Sequence, residues 1–132
     1  MSTTFKRINW WAPQTGDEEK ALILEVLDSN FLNDGEYTTR FERMLADLLG
    51  CKHAVAVTNG TSALFLALVG SGIGPGDEVI IPDITFIATA NAVKLAGAKP
   101  VLVDVDPETL NLSPKQLERA ITSLTKAIIP VH

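Results

Sequence analysis

A short polar segment, Thr58-Asn59-Gly60-Thr61-Ser62, joins an apolar run to a stretch of good helix formers. Such a turn can bind an anion, because the amides at a helix N-terminus are free to donate and the positive end of the helix dipole lies there. Gly60 lets the backbone approach a ligand closely, and Thr61 and Ser62 add hydroxyl donors. The same hydroxyls could instead cap the helix. The segment alone therefore leaves two interpretations open, phosphate binding and capping.

Two further segments, Gly74 to Pro82 and Thr85 to Thr89, match a family pattern together with this turn. On these residues the sequence resembles the amino-terminal part of the DegT/DnrJ/EryC1/StrS aminotransferases. The resemblance covers nearly all of this chain and about the first third of a family member. Other matching pieces are Phe41-Glu42, Gly97-Ala98-Lys99-Pro100-Val101, Val103-Asp104-Val105-Asp106 and Thr125 to His132.

The resemblance implies a bound cofactor, pyridoxal 5'-phosphate, and assigns residues to it. Gly60, Thr61 and Ser62 stand where the family grips the cofactor phosphate by backbone amide and hydroxyl. Phe86 stands where an aromatic side chain lies against the pyridine ring, which is physically reasonable for a flat apolar face. Without the resemblance, Phe86 would be expected to pack in the core.

The resemblance also implies the activity, which is amination of nucleotide-linked keto-sugars with an amino donor, for amino-sugar, cell-surface polysaccharide or antibiotic sugar biosynthesis. The family's Schiff-base lysine comes from later in its chain, so no catalytic residue is assigned here and the 132 residues alone are expected to be inactive. Family active sites are completed across a dimer interface, which predicts a homodimer. We expect the compartment to be the cytoplasm.

Three other functions stay open at this point. A pyridoxal-phosphate-dependent sugar dehydratase has the same fold with histidine at the lysine position, and a truncated, non-catalytic interaction module would also fit. A nicotinamide-binding Rossmann domain fits least, because Thr58 to Ala63 lacks the G-x-G-x-x-G spacing that pyrophosphate binding needs.

Several other polar residues are weaker candidates. Thr85 and Thr89 could simply cap or satisfy the helix that they begin. Asp104 and Asp106 could form a carboxylate pair, although Asp106-Pro107 is also ordinary turn chemistry, which we favour. His132 has no orienting partner in the sequence pattern. Trp10 and Trp11 are expected to pack near the chain start or a subunit contact.

Strands and helices alternate along the chain. Capping-box spacing at Thr15 to Glu18 and at Thr39 to Glu42 predicts two helices in an N-terminal segment, residues 1–50. Residues 51–132 follow as a βαβαβαβ unit, with strands at 54–57, 78–81, 101–105 and 127–131 and helices at 61–69, 86–96 and 117–122. Apolar strands joined by helices predict an α/β fold with a mostly parallel sheet and helices on both faces. By the resemblance, this single incomplete domain is the start of the large domain of fold-type I transferases.

Composition excludes several classes of function. The chain has 132 residues, 46% of them hydrophobic, which suits one modest folded domain. The net charge is −5 and the basic residues are scattered, so no basic surface for nucleic acid is expected. Cys51 is the only cysteine, which excludes a disulfide framework or a cysteine metal cluster. No metal site, signal peptide or membrane partner is predicted.

Overall fold

The computed structural model describes Asn9 and residues 11–132. Trp10 lies outside the described residues, and Trp11 is exposed. The chain divides into two compact units, one ending at Ala56 and the other covering Val57–His132. None of the helices among the described residues is long and apolar enough to cross a membrane.

The first helix of the first unit, α1, covers Asp17–Asp28. Its N-cap is Gly16, and the Gly16 amide donates a hydrogen bond of 2.6 Å to Oε2 of Glu19. This hydrogen bond lowers the pKa of Glu19 below its ordinary value. The sequence predicts a helix here, with a capping box from Thr15 to Glu18. The observed capping box is one residue later, from Gly16 to Glu19, because Glu19 rather than Glu18 accepts from the free amide.

The second helix, α2, covers Glu36–Leu49 and begins three residues before the predicted capping box. Gly35 is the N-cap, and the Thr39 hydroxyl donates to the Gly35 carbonyl oxygen at 3.4 Å from within the helix. Thr39 therefore does not cap the helix. The predicted end is confirmed, since Gly50 takes the left-handed conformation with φ of 65° that suits a residue without a Cβ.

The second unit is built around a parallel sheet of three strands. Along the chain it contains α3 (Gly60–Gly70), β1 (Glu78–Pro82), α4 (Ala88–Leu95), β2 (Lys99–Val103), α5 (Pro114–Ala120) and β3 (Thr125–Ile128). The strand order is β2-β1-β3, and both pairings are parallel. The α/β class with a parallel sheet is therefore confirmed. So is proline at the first position of α5, where its fixed φ suits a helix start.

The predicted strand at residues 54–57 is wrong. These residues form neither helix nor strand, and the described part of the sheet consists of β1, β2 and β3. The Ala56 amide donates instead to Oε1 of Glu42 at 2.8 Å. An apolar run of four residues makes a strand only when a neighbouring strand takes its amides, and here a side chain from α2 takes one of them.

The core of the second unit lies on both sides of the central strand β1. Val79, Ile80 and Ile81 are completely buried. Val79 and Ile81 belong to an apolar cluster with residues of α3 and α4, including Leu68 and Val93, whereas Ile80 does not. Because successive side chains of a strand point to opposite faces, the burial of all three shows that both faces of β1 are covered.

The segments that follow α3 and α4 lie together at one edge of this unit. Gly97, just after α4, lies so close to the loop after α3 that a Cβ built on it would be 3.0 Å from Cγ of Pro75. Gly74 of the same loop is close to the Ala96 carbonyl oxygen. Since α3 packs on α4, and the segments after both helices meet, their amino ends are expected to face the edge at which β1 ends.

A charged network joins the strands at the opposite edge. The carboxylate of Glu78, which is 7% exposed, accepts from Lys99 Nζ at 2.8 Å and from the Thr122 hydroxyl at 2.7 Å. These two hydrogen bonds, the one from Lys99 first, lower the pKa of Glu78 below its ordinary value of 4.5. The network therefore ties β1 to β2 and to the segment before β3.

We expect this network to make stability depend on acid pH. Because the pKa of Glu78 is lower in the folded state, its contribution is present above the unfolded value of 4.5 and is lost as the pH falls through the folded value. Denaturant unfolding of Glu78→Gln from about pH 7 to about pH 3 should therefore show a flatter loss of stability than that of the wild type. Lys99→Met should also flatten the curve. A Glu78→Gln curve parallel to that of the wild type would contradict this account.

Candidate functional site

The amino end of α3 is capped by Asn59. Its side-chain Oδ1 accepts from the Ser62 amide at 2.9 Å, and its carbonyl oxygen accepts from the Ala63 amide at 3.1 Å. The capping interpretation of the Thr61 and Ser62 hydroxyls is therefore wrong. This role of Asn59 was not predicted from the sequence, although asparagine is among the best N-cap residues and an Asn three positions before Ser62 was a usable signal.

Four donors at this helix end remain available for a ligand. Among the described residues, the amides of Gly60 and Thr61 have no acceptor, and the hydroxyls of Thr61 and Ser62 have no partner. Both hydroxyl residues are half-buried, so these groups are partly shielded from water. A Cβ built on Gly60 would meet nothing within 4 Å, which shows open space beside the backbone. The arrangement can hold an anion without displacing the cap.

Phe86 follows β1 and precedes α4. Its side chain is 78% exposed, so the expectation from the residues alone, that it packs in the core, is wrong. The backbone around it is nevertheless fixed, because the Phe86 carbonyl oxygen accepts from the Thr89 amide at 3.0 Å. An exposed aromatic ring on an ordered backbone offers a flat surface for a ligand.

The path of the chain indicates that the predicted phosphate-binding residues and Phe86 face the same edge of the second unit. The amino ends of α3 and α4 are expected there, because the two helices pack on each other and the segments that follow them meet at the other edge. Thr61 and Ser62 stand in the first turn of α3, and Phe86 stands two residues before α4. In open parallel sheets, the carboxyl edge of the strands is where ligands bind.

The weaker candidates have structural roles or none that the structure defines. Oδ1 of Asp106 accepts from the amides of Glu108 and Thr109 at 3.0 and 3.1 Å, which confirms the turn interpretation. Asp104 accepts from the amide of its own neighbour, Val105. His132 is exposed. Among residues 9 and 11–132, no group of three or more His, Cys, Asp or Glu side chains could hold a metal ion.

Three of the four lysines of the second unit, all except Lys115, lie at the end of α4 or near the start of β2 or β3. Lys94 is in the last turn of α4, and Lys99 is the first residue of β2. Lys126 is the second residue of β3, level with the start of β1. β1 is about 13 Å long at ~3.3 Å per residue, so about that distance separates the level of Lys126 from the end of β1 that precedes Phe86.

Comparison with known proteins decides the family. The sequence profile of the DegT/DnrJ/EryC1/StrS aminotransferase family matches residues 13–132, which is most of the chain. The chain belongs to this family. The resemblance inferred from the motifs is therefore confirmed.

Individual relatives agree with this assignment. The chain is 52% identical over 127 residues to GDP-perosamine synthase of Caulobacter vibrioides, covering 96% of this chain and 34% of that protein. The structure of S. venezuelae DesV in complex with a ketimine intermediate is 46% identical, with a TM-score of 0.82, and covers 88% of this chain and 31% of that one. NtdA from Bacillus subtilis with bound cofactor PMP is 40% identical, with a TM-score of 0.81, over 89% of this chain and 28% of that one.

The chain corresponds to only part of each of these relatives. It spans about a third of the length of the proteins that it matches. Its fold is that of the corresponding part of solved aminotransferases, so the predicted relation to this fold class is confirmed.

Proposed function

We propose that this chain supplies the phosphate- and ring-binding part of a pyridoxal-phosphate-dependent sugar aminotransferase. The observation that carries the proposal is the set of amides and hydroxyls at the start of α3 that have no partner among the described residues, together with the exposed ring of Phe86 beyond the end of β1. Family membership supports this cofactor, and the relative NtdA was solved with bound cofactor PMP.

The residues at the start of α3 fit the phosphate end of pyridoxal 5'-phosphate. The amides of Gly60 and Thr61 would each donate to a phosphate oxygen, and the hydroxyls of Thr61 and Ser62 would add two donors. Hydrogen bonds to a charged acceptor are about twice as strong as neutral ones. The positive end of the α3 dipole favours the same charge. These residues therefore bind and orient the cofactor rather than take part in proton transfer.

Phe86 fits the pyridine ring. Stacking on its face would keep water from one side of the ring and fix its tilt, and aromatic pairs in such arrangements contribute about 0.5–1.5 kcal/mol. When bound, pyridoxal phosphate supplies an electron sink for breaking bonds at the amino-bearing carbon. The chain's own contribution here is to hold the ring in place.

The reacting lysine would be a residue outside positions 1–132. The positions of Lys94 at the end of α4 and of Lys99 and Lys126 near the start of their strands support this inference. The resemblance to the family likewise implies no such role for these three lysines. Residues 1–132 are therefore expected to bind cofactor without catalysing amino transfer by themselves.

The substrates of the whole protein would be a nucleotide-linked keto-sugar and an amino donor. The 52% identity to GDP-perosamine synthase supports this class of sugar. We propose that the whole protein is a homodimer in the cytoplasm. The exposed apolar side chains of α1, among them Ile23 and Leu24, are compatible with burial against another chain.

The test is cofactor binding by the protein in its full natural length. Pyridoxamine phosphate carries the ring and the phosphate but forms no bond with a lysine. We expect it to bind at least about 100-fold more tightly than pyridoxamine, which lacks the phosphate, because two or more charge-assisted hydrogen bonds are lost. Equal dissociation constants for the two ligands would overturn the phosphate role of α3. Amino transfer to nucleotide-linked keto-sugars then tests the substrate class.

A further inference from the structure

A pair of threonine hydroxyls lies directly beneath the backbone that presents Phe86. Thr89 Oγ1 is 2.9 Å from Thr85 Oγ1. Thr85 is the residue before Phe86, and the Thr85 hydroxyl is also 3.5 Å from the Phe86 carbonyl oxygen. The same carbonyl oxygen accepts from the Thr89 amide. The backbone on both sides of Phe86 is therefore linked to one residue of α4.

Thr89 is the fixed member of this pair. It lies in α4 and is 5% exposed, whereas Thr85 is half-buried and lies in the loop. Among the described residues, the side chain of Thr89 has Thr85 as its hydrogen-bond partner. A buried hydroxyl that loses its partner is unfavourable, so the pair resists opening.

Phe86 depends on this linkage for its position. With 78% of the residue exposed, the ring has few neighbours of its own to hold it. The ring can therefore be presented in one place only if its backbone is held. A flat ligand gains most from an aromatic side chain that is ordered before the ligand binds.

We infer that Thr89 is a positioning residue for the cofactor ring, acting through its hydroxyl contact with Thr85 to fix the backbone of Phe86. This inference rests on the proposed function, because it assumes that Phe86 contacts the ring. It assigns Thr89 no contact with the cofactor.

The test uses the full-length protein and two probes, pyridoxamine phosphate and inorganic phosphate. Thr89→Val removes the hydroxyl and keeps the shape, and we expect a rise of about tenfold in the Kd of pyridoxamine phosphate, which corresponds to ~1.4 kcal/mol. Inorganic phosphate should bind as it does to the wild type, which also shows that the variant is folded. Thr89→Ser should restore tight binding, and Thr85→Val should repeat the loss.

A double-variant comparison separates positioning from a general structural effect. Phe86→Leu alone should weaken pyridoxamine phosphate binding, and adding Thr89→Val to it should cause little further loss, because Thr89 acts through the ring. Additive losses, or an equal loss of inorganic phosphate binding in Thr89→Val, would overturn the positioning role. If the wild type instead binds pyridoxamine phosphate no better than inorganic phosphate, the proposed function itself is wrong.

Discussion

Replacing Ser62 with aspartate should abolish tight cofactor binding while leaving the protein folded. The new carboxylate would stand in the first turn of α3, where it would accept from the free amides and repel a phosphate. Loss of one hydrogen bond to a charged group costs about 1.5–3 kcal/mol, so with the added repulsion we expect the Kd of pyridoxamine phosphate to rise at least about 100-fold.

The stability of Ser62→Asp without cofactor should rise or stay the same, although its affinity for the cofactor falls. A carboxylate in the first turn of a helix contributes about 0.3–1 kcal/mol through the helix dipole. The melting temperature of Ser62→Asp without cofactor should therefore equal or exceed that of the wild type. Calorimetry and binding titration on the same sample measure both quantities.

Ser71 provides the matched control, because it is an exposed serine at the other end of the same helix. Ser71→Asp adds the same charge at the negative end of the dipole, so it should lower stability slightly and leave cofactor binding unchanged. Equal loss of binding in the two variants would mean that net charge, not the start of α3, governs affinity.

Replacing Ile81 with alanine should have the largest effect on stability. Ile81 is completely buried and belongs to the apolar cluster between β1 and the helices α3 and α4. Such a truncation removes apolar contact and leaves a cavity, at a cost of about 2–5 kcal/mol. Denaturant unfolding of the full-length protein without cofactor should show this as a lower midpoint with an unchanged slope.

Leu102 is the matched control for Ile81. It pairs with Ile81 in the register of β1 and β2 but is 64% exposed. Leu102→Ala should therefore change the free energy of unfolding by no more than about 0.5 kcal/mol. A similar loss in both variants would show that β2 is covered by a part of the protein outside these residues.

The alternation of helices and strands could be predicted because local signals agreed with tertiary packing. The start of α5 and the end of α2 could be predicted because Pro114 and Gly50 each favour a particular backbone conformation by themselves. The strand at residues 54–57 could not be excluded from the sequence, since an apolar run does not reveal whether a neighbouring strand is present. Helix starts were missed where a glycine N-cap left no side-chain signal, as at Gly35.

The candidate site was predicted only in part. The turn before α3 pointed to an anion site because its residue types are donors, but its true cap, Asn59, was hidden among several polar residues. The exposure of Phe86 could not be predicted from residue type, since phenylalanine is more often buried. The Thr85–Thr89 contact depends on how the loop enters α4, which no short-range pattern specifies.

The contact between Gly97 and Pro75 holds together the segments that follow α3 and α4. The length of each helix therefore determines how far its amino end lies from this contact. One residue inserted into either helix would move its amino end by about 1.5 Å and turn it by about 100°. If the proposed cofactor touches both amino ends, its fixed length constrains the number of residues in α3 and α4 as well as the identity of the residues that touch it.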